Sequence, residues 1–248
     1  MKVGFLHSII RKEEKLLLKD LRSRKNVEVV KIDDRQHFFN LHENSFDLDV
    51  VIERCVNHSR AAHALKIFND HGIPTVNTAE VADICGSKFL TTQALIKAGV
   101  RTPKCFLAFT PESALEAMNR LGYPCVIKPT TGSWGRLISR VNDRDAAEAI
   151  LEHKQILGSY HHSIFYIQEY VEKKGKDIRS FVVGDECIAA VAHRAIGCAR
   201  ISGVLRPLGI VEAKVRAGYT DTFVARGRQC IQSALCIHSG CFVHKGFE

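Results

Sequence analysis

The chain has 248 residues, enough to bury a substantial core and to divide into two or three small domains. Hydrophobic residues at 46% and charged residues at 25% give the balance of an ordinary soluble globular protein. No apolar run approaches the roughly 18 residues that cross a bilayer, and Met1 leads into Lys-Val-Gly-Phe-Leu rather than a long apolar leader, so no membrane association and a cytoplasmic location are expected.

The formal charge of +8 is unevenly placed: residues 1 to 193 hold 27 Lys and Arg against 24 Asp and Glu, whereas residues 194 to 248 hold 8 against 3. A global basic-patch argument for nucleic acid is therefore weak, and nucleic acid is not an expected partner.

In chain order, Lys2 to His7 reads as a first strand, followed by an amphipathic helix through Glu13 to Arg24 whose leucines 16, 17, 18 and 21 supply an apolar side. Val27 to Ile32 and Val50 to Ile52 read as strands, Asn57 to Asp70 as a helix and Pro74 to Val76 as a short strand. Alternation of strand and helix at this spacing predicts an open parallel sheet in a first α/β domain over residues 1 to 85. A helix over Ser87 to Ala98 ends at Gly99, and Pro103 to Ala108 is extended. Thr110 is the expected N-cap, with Pro111 at the first helical position, of a helix that runs to Leu121 and stops at Gly122. Strands follow at Tyr123 to Lys128 and Phe165 to Val171, with a helix over Asp143 to His153 between them. Asp177 to Val183 and Cys187 to His193 form an expected hairpin around Gly184-Asp185.

Residues 126 to 136, Val-Ile-Lys-Pro-Thr-Thr-Gly-Ser-Trp-Gly-Arg, combine a β-type run ending on a lysine with a short loop flanked by Gly132 and Gly135. A phosphate site needs such a fixed cation, Lys128, beside backbone that a ligand can approach closely. Ser133 adds a hydroxyl and Arg136 a second cation. Neither the P-loop nor the dinucleotide glycine spacing is present, and an ordinary hairpin is the competing account of this stretch. Nine cysteines are scattered without C-x-x-C pairs, and most are expected as buried free thiols. His153 and the pair His161-His162 have no metal-ligand spacing and are expected on the surface. Arg54, His58, Ser59 and Arg60 lie where the first parallel strands end, the usual ligand position of open α/β sheets, although a capping serine among solvated charges explains them as well.

Several ordered motifs carry a family resemblance: Glu53-Arg54-Cys55-Val56 with Ser59-Arg60, Cys85-Gly86-Ser87-Lys88, Ile127-Lys128-Pro129, Gly132-Ser133-Trp134-Gly135-Arg136, Glu152-His153-Lys154, Ile167-Gln168-Glu169-Tyr170-Val171-Glu172-Lys173 and Asp177-Ile178-Arg179. Over roughly 190 residues the chain resembles the ATP-grasp ligases, and within them the LysX group, the aminoadipate-carrier-protein ligases of lysine biosynthesis. The resemblance implies an α/β and α+β architecture: a pre-ATP-grasp domain over 1 to 85, ATP-grasp nucleotide-binding lobes over 86 to 194, and an incomplete last lobe. It implies ATP and Mg²⁺ as cofactors. Lys88 and Lys128 match the two phosphate lysines, and Gln168, Glu169, Tyr170 and Val171 match the segment that reads adenine through its backbone and holds the ribose through an acidic side chain. Lys176 and Asp177 match positions beside the phosphates, Arg179 the reacting end, and Arg194 an arginine for the substrate carboxylate, with an ordinary cross-strand ion pair as the competing account of Asp177 and Arg179. The implied partners are a small acidic carrier protein ending in glutamate and an amino acid, α-aminoadipate or glutamate. A sister group that adds glutamate to a ribosomal protein shares the same core, a catalytically inactive ATP-binding fragment is a further alternative, and the resemblance leaves open whether the chain forms a homo-oligomer.

After Arg194 the resemblance fades. The family's last third implies acidic magnesium ligands ending in Glu-x-Asn, and Mg²⁺ as a hard cation requires such oxygens. Residues 195 to 248 offer only Glu212, Asp221 and Glu248 and no asparagine, so no metal ligand is assigned. This composition change without a linker suggests a divergent tail from a frameshifted or truncated reading frame, with a folded tail as the alternative.

Overall fold

The computed structural model describes residues 1–132, 136–158, 163–172, 176–183, 186–195 and 205–207, and from residue 173 onward only the backbone course of its strands. The described chain divides into two compact units, one over Met1–Asp83 and one that begins at Ile84.

The first unit is an open parallel sheet in the order β2-β1-β3-β4, built from β1 (Lys2–His7), β2 (Glu28–Asp33), β3 (Val50–Arg54) and β4 (Thr75–Val76). Helix α1 (Lys12–Ser23) connects β1 to β2, and α2 (His58–Asp70) connects β3 to β4. Leu6, Ile32 and Val51 of the strands pack with Ala61, Ala64 and Phe68 of α2. Phe39 and Phe46 of the long β2–β3 connection close over Phe68, with ring centroids 5.6 and 4.9 Å away. The apolar side expected of α1 is narrower than its leucines suggest. Three consecutive leucines span about 200° of a helix, so Leu16 faces outward at 60% exposure while Leu18 is buried beside Glu14, one turn earlier.

A helix absent from the sequence reading, α3 (Ala79–Gly86), follows, its start marked by the Thr78 hydroxyl accepting from the Val81 N–H at 3.3 Å. In the second unit α4 (Lys88–Lys97) is capped by Ser87. An antiparallel sheet in the order β5-β8-β6-β7 joins β5 (Cys105–Ala108), β6 (Cys125–Lys128), β7 (Ser139–Val141) and β8 (Phe165–Glu169). Strand alternation sorts its side chains. Ala108, Cys125, Ile127, Val141, Phe165 and Ile167 meet Ala114, Ala117 and Met118 of α5 (Pro111–Leu121) and Ala147 and Leu151 of α6 (Arg144–Leu157) in one apolar cluster. The intervening residues, Cys105, Val126, Lys128, Arg140, Tyr166 and Gln168, share the opposite face.

Helix α5 begins as its sequence predicts. Thr110 and Ser113 cap each other's backbone N–H groups, Pro111 stands at the first turn, and Gly122 ends the helix at φ 87°, a conformation that favours glycine. Thr110→Ala is expected to lower stability by about 1 kcal/mol, seen as a lower urea midpoint at unchanged slope.

A second antiparallel sheet, β11-β10-β9, contains β9 (Lys176–Val183), β10 (Glu186–Ala195) and β11 (Leu205–Pro207). The two strands of the expected hairpin pair antiparallel and are longer than expected, while Gly184 and Asp185 lie outside the described residues. Strand β11 lies inside the stretch read as weakly patterned, where three residues pair with His193, Arg194 and Ala195.

Candidate functional site

Lys88 opens α4, and the start of this helix is fastened to the segment that follows β6. The Lys88 N–H donates to the Thr130 carbonyl at 2.8 Å, Ser87 and Thr131 form an antiparallel bridge, and Lys88 Nζ donates to the Gly132 carbonyl at 2.9 Å. Gly132 adopts φ 111°, which a side chain would strain. Burial lowers the Lys88 ammonium below its ordinary pKa, because the charged form is incompletely solvated.

Lys128 ends β6, and its Nζ donates to Gln168 Oε1 at 2.7 Å across the β6–β8 pair. Both lysines predicted for phosphate therefore lie in the second unit, each resting on a neutral oxygen that an anion can outcompete. The resemblance implies for Gln168 only a place in the nucleotide-reading segment; the structure adds its side-chain contact to Lys128.

The strand expected to reach Val171 ends at Glu169. The Glu169 N–H donates to the Lys104 carbonyl at 2.9 Å, and Tyr170 and Val171 have left the ladder. That departure frees backbone groups from strand pairing, the condition for reading a base edge through the main chain. Arg136 is exposed in a turn, while Ser133, Trp134 and Gly135 lie outside the described residues. On β9 and β10 the register sets Lys176 opposite Arg194, Asp177 opposite His193 and Arg179 opposite Val191, which brings Lys176, Asp177, Arg179 and Arg194 to one end of that ladder. His153 is exposed as expected, and His161 and His162 lie outside the described residues.

Two features escaped the sequence reading. The Arg140 guanidinium lies 4.2 Å from the centre of the Tyr170 ring. Tyr166, in a stretch that reads as plain core strand, carries a hydroxyl 2.8 Å from Thr92 Oγ1 and 3.0 Å from Cys105 Sγ.

In the first unit, Arg54 does not present itself to a ligand. It is buried, and its Nε and Nη2 donate to Glu14 Oε1 at 3.0 and 2.6 Å. A strand-end arginine reads the same in sequence whether it faces a substrate or a buried acid. His58 and Ser59 are exposed, Arg60 reaches Asp34 at 3.6 Å, and the cap of α2 is Asn57 rather than Ser59.

Residues 3–84 match the model of the LysX preATP-grasp domain, and residues 85–199 match the RimK-like ATP-grasp domain. The chain is 38% identical over 189 residues to the alpha-aminoadipate–LysW ligase LysX of Sulfurisphaera tokodaii, covering 75% of this chain and 66% of that protein. It is 32% identical over 194 residues to the glutamate–LysW ligase ArgX of the same organism, covering 78% and 68%. The chain thus spans about two thirds of the length of these relatives. Among solved structures, an ATP-grasp RimK domain protein from Sphaerobacter thermophilus superposes with a TM-score of 0.71 at 22% identity, over 94% of this chain and 82% of that one. This likeness establishes the ATP-grasp fold.

Proposed function

The chain belongs to the family of ATP-grasp ligases that holds LysX and ArgX, and from that premise we propose that it serves the ATP-dependent joining of an amino acid, α-aminoadipate or glutamate, to the C-terminal glutamate of a small acidic carrier protein. In this reaction the carrier carboxylate attacks the γ-phosphorus of ATP, ADP leaves, and the amine of the amino acid displaces phosphate from the resulting acyl phosphate to form an amide. The chemistry is positioning and charge stabilisation, with no side-chain nucleophile.

The observation that carries the proposal is the arrangement of Lys88 and Lys128, each held at 2.9 Å or less by a neutral acceptor in the same unit. In the proposed complex both ammonium groups turn to the triphosphate, the backbone of Tyr170 and Val171 reads adenine, and the Glu169 carboxylate holds the ribose. Gly132, Ser133, Trp134, Gly135 and Arg136 enclose the phosphates, together with Lys176 and Asp177. Arg179 faces the reacting end, and Arg194 grips the substrate carboxylate through the planar fork of its guanidinium.

Among the described residues no three His, Cys, Asp or Glu side chains come together to hold a metal ion. Beyond Arg194 the sequence offers only Glu212, Asp221 and Glu248 as acids. These residues do not make a fitting set for Mg²⁺, and no step is assigned to it. The purified 248-residue chain is therefore expected to bind ATP without amino-acid-dependent ADP release. Steady ADP release that Lys128→Ala abolishes would show instead that the chain is competent. Translation of the other downstream frames tests the origin of residues 195–248, since recovery of Glu-x-Asn marks a shifted frame.

The match of residues 85–199 to the RimK-like domain supports a second reading, glutamate addition to a ribosomal protein. Binding assays with the two acceptors separate them. For an acidic carrier, affinity is expected to fall as salt rises from low to physiological strength, because screening weakens steering between opposite charges. A flat response would exclude an electrostatically guided partner.

A further inference from the structure

We propose that the Tyr166 hydroxyl is a positioning group for the nucleotide site, fixing helix α4, which carries Lys88, against the sheet face that carries Lys128. Tyr166 is 4% exposed, the second residue of β8. Phenylalanine would fill nearly the same volume without a polar atom, and a buried hydroxyl is unfavourable unless it is hydrogen-bonded. Here it has two partners on two different elements: Thr92 Oγ1 of α4 at 2.8 Å and Cys105 Sγ of β5 at 3.0 Å. Cys105 Sγ is also 3.4 Å from the Pro103 carbonyl. One consistent chain of donors runs from Thr92 to Tyr166, from Tyr166 to Cys105, and from Cys105 to Pro103.

The placement of this chain relates it to both lysines. Thr92 stands four residues after Lys88 on α4, on the same side of the helix one turn along. Tyr166 is the residue directly opposite Lys128 in the β6–β8 register, and it lies two residues from Gln168, the acceptor of the Lys128 ammonium. A single hydroxyl thus connects the turn of helix that aims one cation to the strand pair that aims the other. Apolar contacts alone allow a helix to slide or roll over a sheet by a fraction of an ångström. Directional hydrogen bonds oppose that motion, and small displacements of charged groups weigh heavily where two cations must meet one polyphosphate. Ser87 and Lys88 also fasten the start of α4 to residues 130–132. Tyr166 fixes the same helix one turn further on, so two points rather than one define its orientation.

The inference rests on the assignment of Lys88 and Lys128 to the phosphates and is tested so that the two can fail separately. Affinity for ATP with Mg²⁺ is measured calorimetrically on the full chain for Tyr166→Phe, Lys88→Ala and the double variant, with Thr92→Val as a second break in the same link should Tyr166→Phe not fold. Tyr166→Phe is expected to weaken binding by about three- to tenfold, the scale of one neutral hydrogen bond, and to change it by less than about twofold when Lys88 is already alanine. Thr92→Val is expected to behave likewise. A purely structural hydroxyl would shift the thermal midpoint but alter affinity equally in both backgrounds, or not at all, and either result overturns the proposal. Should Lys88→Ala and Lys128→Ala both leave ATP affinity unchanged, the nucleotide-site assignment fails and this proposal with it. Should they weaken binding while Tyr166→Phe shows no coupling to Lys88, only the positioning role falls.

Discussion

Arg54→Ala is expected to destabilise the Met1–Asp83 unit by about 3 to 5 kcal/mol, the scale for removing one partner of a buried ion pair. Glu14 is fully buried on α1, and two oxygens serve two arginines. Arg54 donates to Oε1 from Nε and Nη2, at 3.0 and 2.6 Å. Arg11 donates through its backbone N–H and Nε to Oε2, at 2.9 and 3.1 Å, and through Nη2 to Oε1, at 2.9 Å. Without Arg54 the carboxylate keeps only the half-exposed Arg11. Glu14→Ala leaves Arg54 as the uncompensated buried charge and should be comparably harmful, whereas replacing both by apolar residues of similar volume should recover much of the loss.

The same pair predicts a pH dependence. Burial by itself pushes the Glu14 carboxyl up, but hydrogen bonds from Arg11 and Arg54 outweigh it and bring its pKa from 4.5 to about 2. The folded value is below the unfolded one, so the stabilisation is fully present above about pH 4.5 and drains away as pH falls toward 2. In Arg54→Ala this acid-side loss should shrink. Urea titrations of both proteins across that window measure it, and a loss under about 1 kcal/mol at neutral pH would remove the claim that the pair holds α1 to the sheet.

Much of the fold is legible in the sequence because period and punctuation agree. Strands β1 and β3 of the first unit carry short apolar runs, and α5 carries its cap, its proline and its terminal glycine in the expected places. The elements that escape are short. Strand β7 is three residues, too few to show a period of two, and α3 is eight residues without an apolar stripe long enough to distinguish it from a turn. Glu14 escapes for another reason: within Lys-Glu-Glu-Lys it reads as surface charge, and only the fold brings Arg54 over it. The site divides in the same way. Lys128 is conspicuous because a β-type run ends on it before a glycine-flanked loop. Tyr166 is inconspicuous because its role depends on Thr92, 74 residues away in sequence, and Cys105, 61 residues away, meeting at one oxygen.

Lys128→Ala is expected to weaken ATP binding by about 1.5 to 3 kcal/mol, the scale of a charge-assisted contact, or roughly 10- to 150-fold in Kd. Lys88→Ala should bring a similar or smaller loss. The order follows from what each ammonium relinquishes and how it is held. Lys128 stands at the end of a strand paired on both sides, by β7 and β8, which fixes its backbone, and its contact to Gln168 is exchanged for phosphate. Lys88 must release the Gly132 carbonyl, part of the fastening between the start of α4 and residues 130–132, so part of its gain on meeting an anion offsets that lost contact. Lys128→Arg should recover only part of the affinity, because the guanidinium keeps the charge but is broader than an ammonium and does not fit the same contact with Gln168. Calorimetric titration at physiological ionic strength measures all three variants. Unchanged affinity in both alanine variants would place the nucleotide elsewhere, whereas a loss confined to Lys88→Ala would leave Lys128 as a strut for Gln168 and move the triphosphate toward the start of α4.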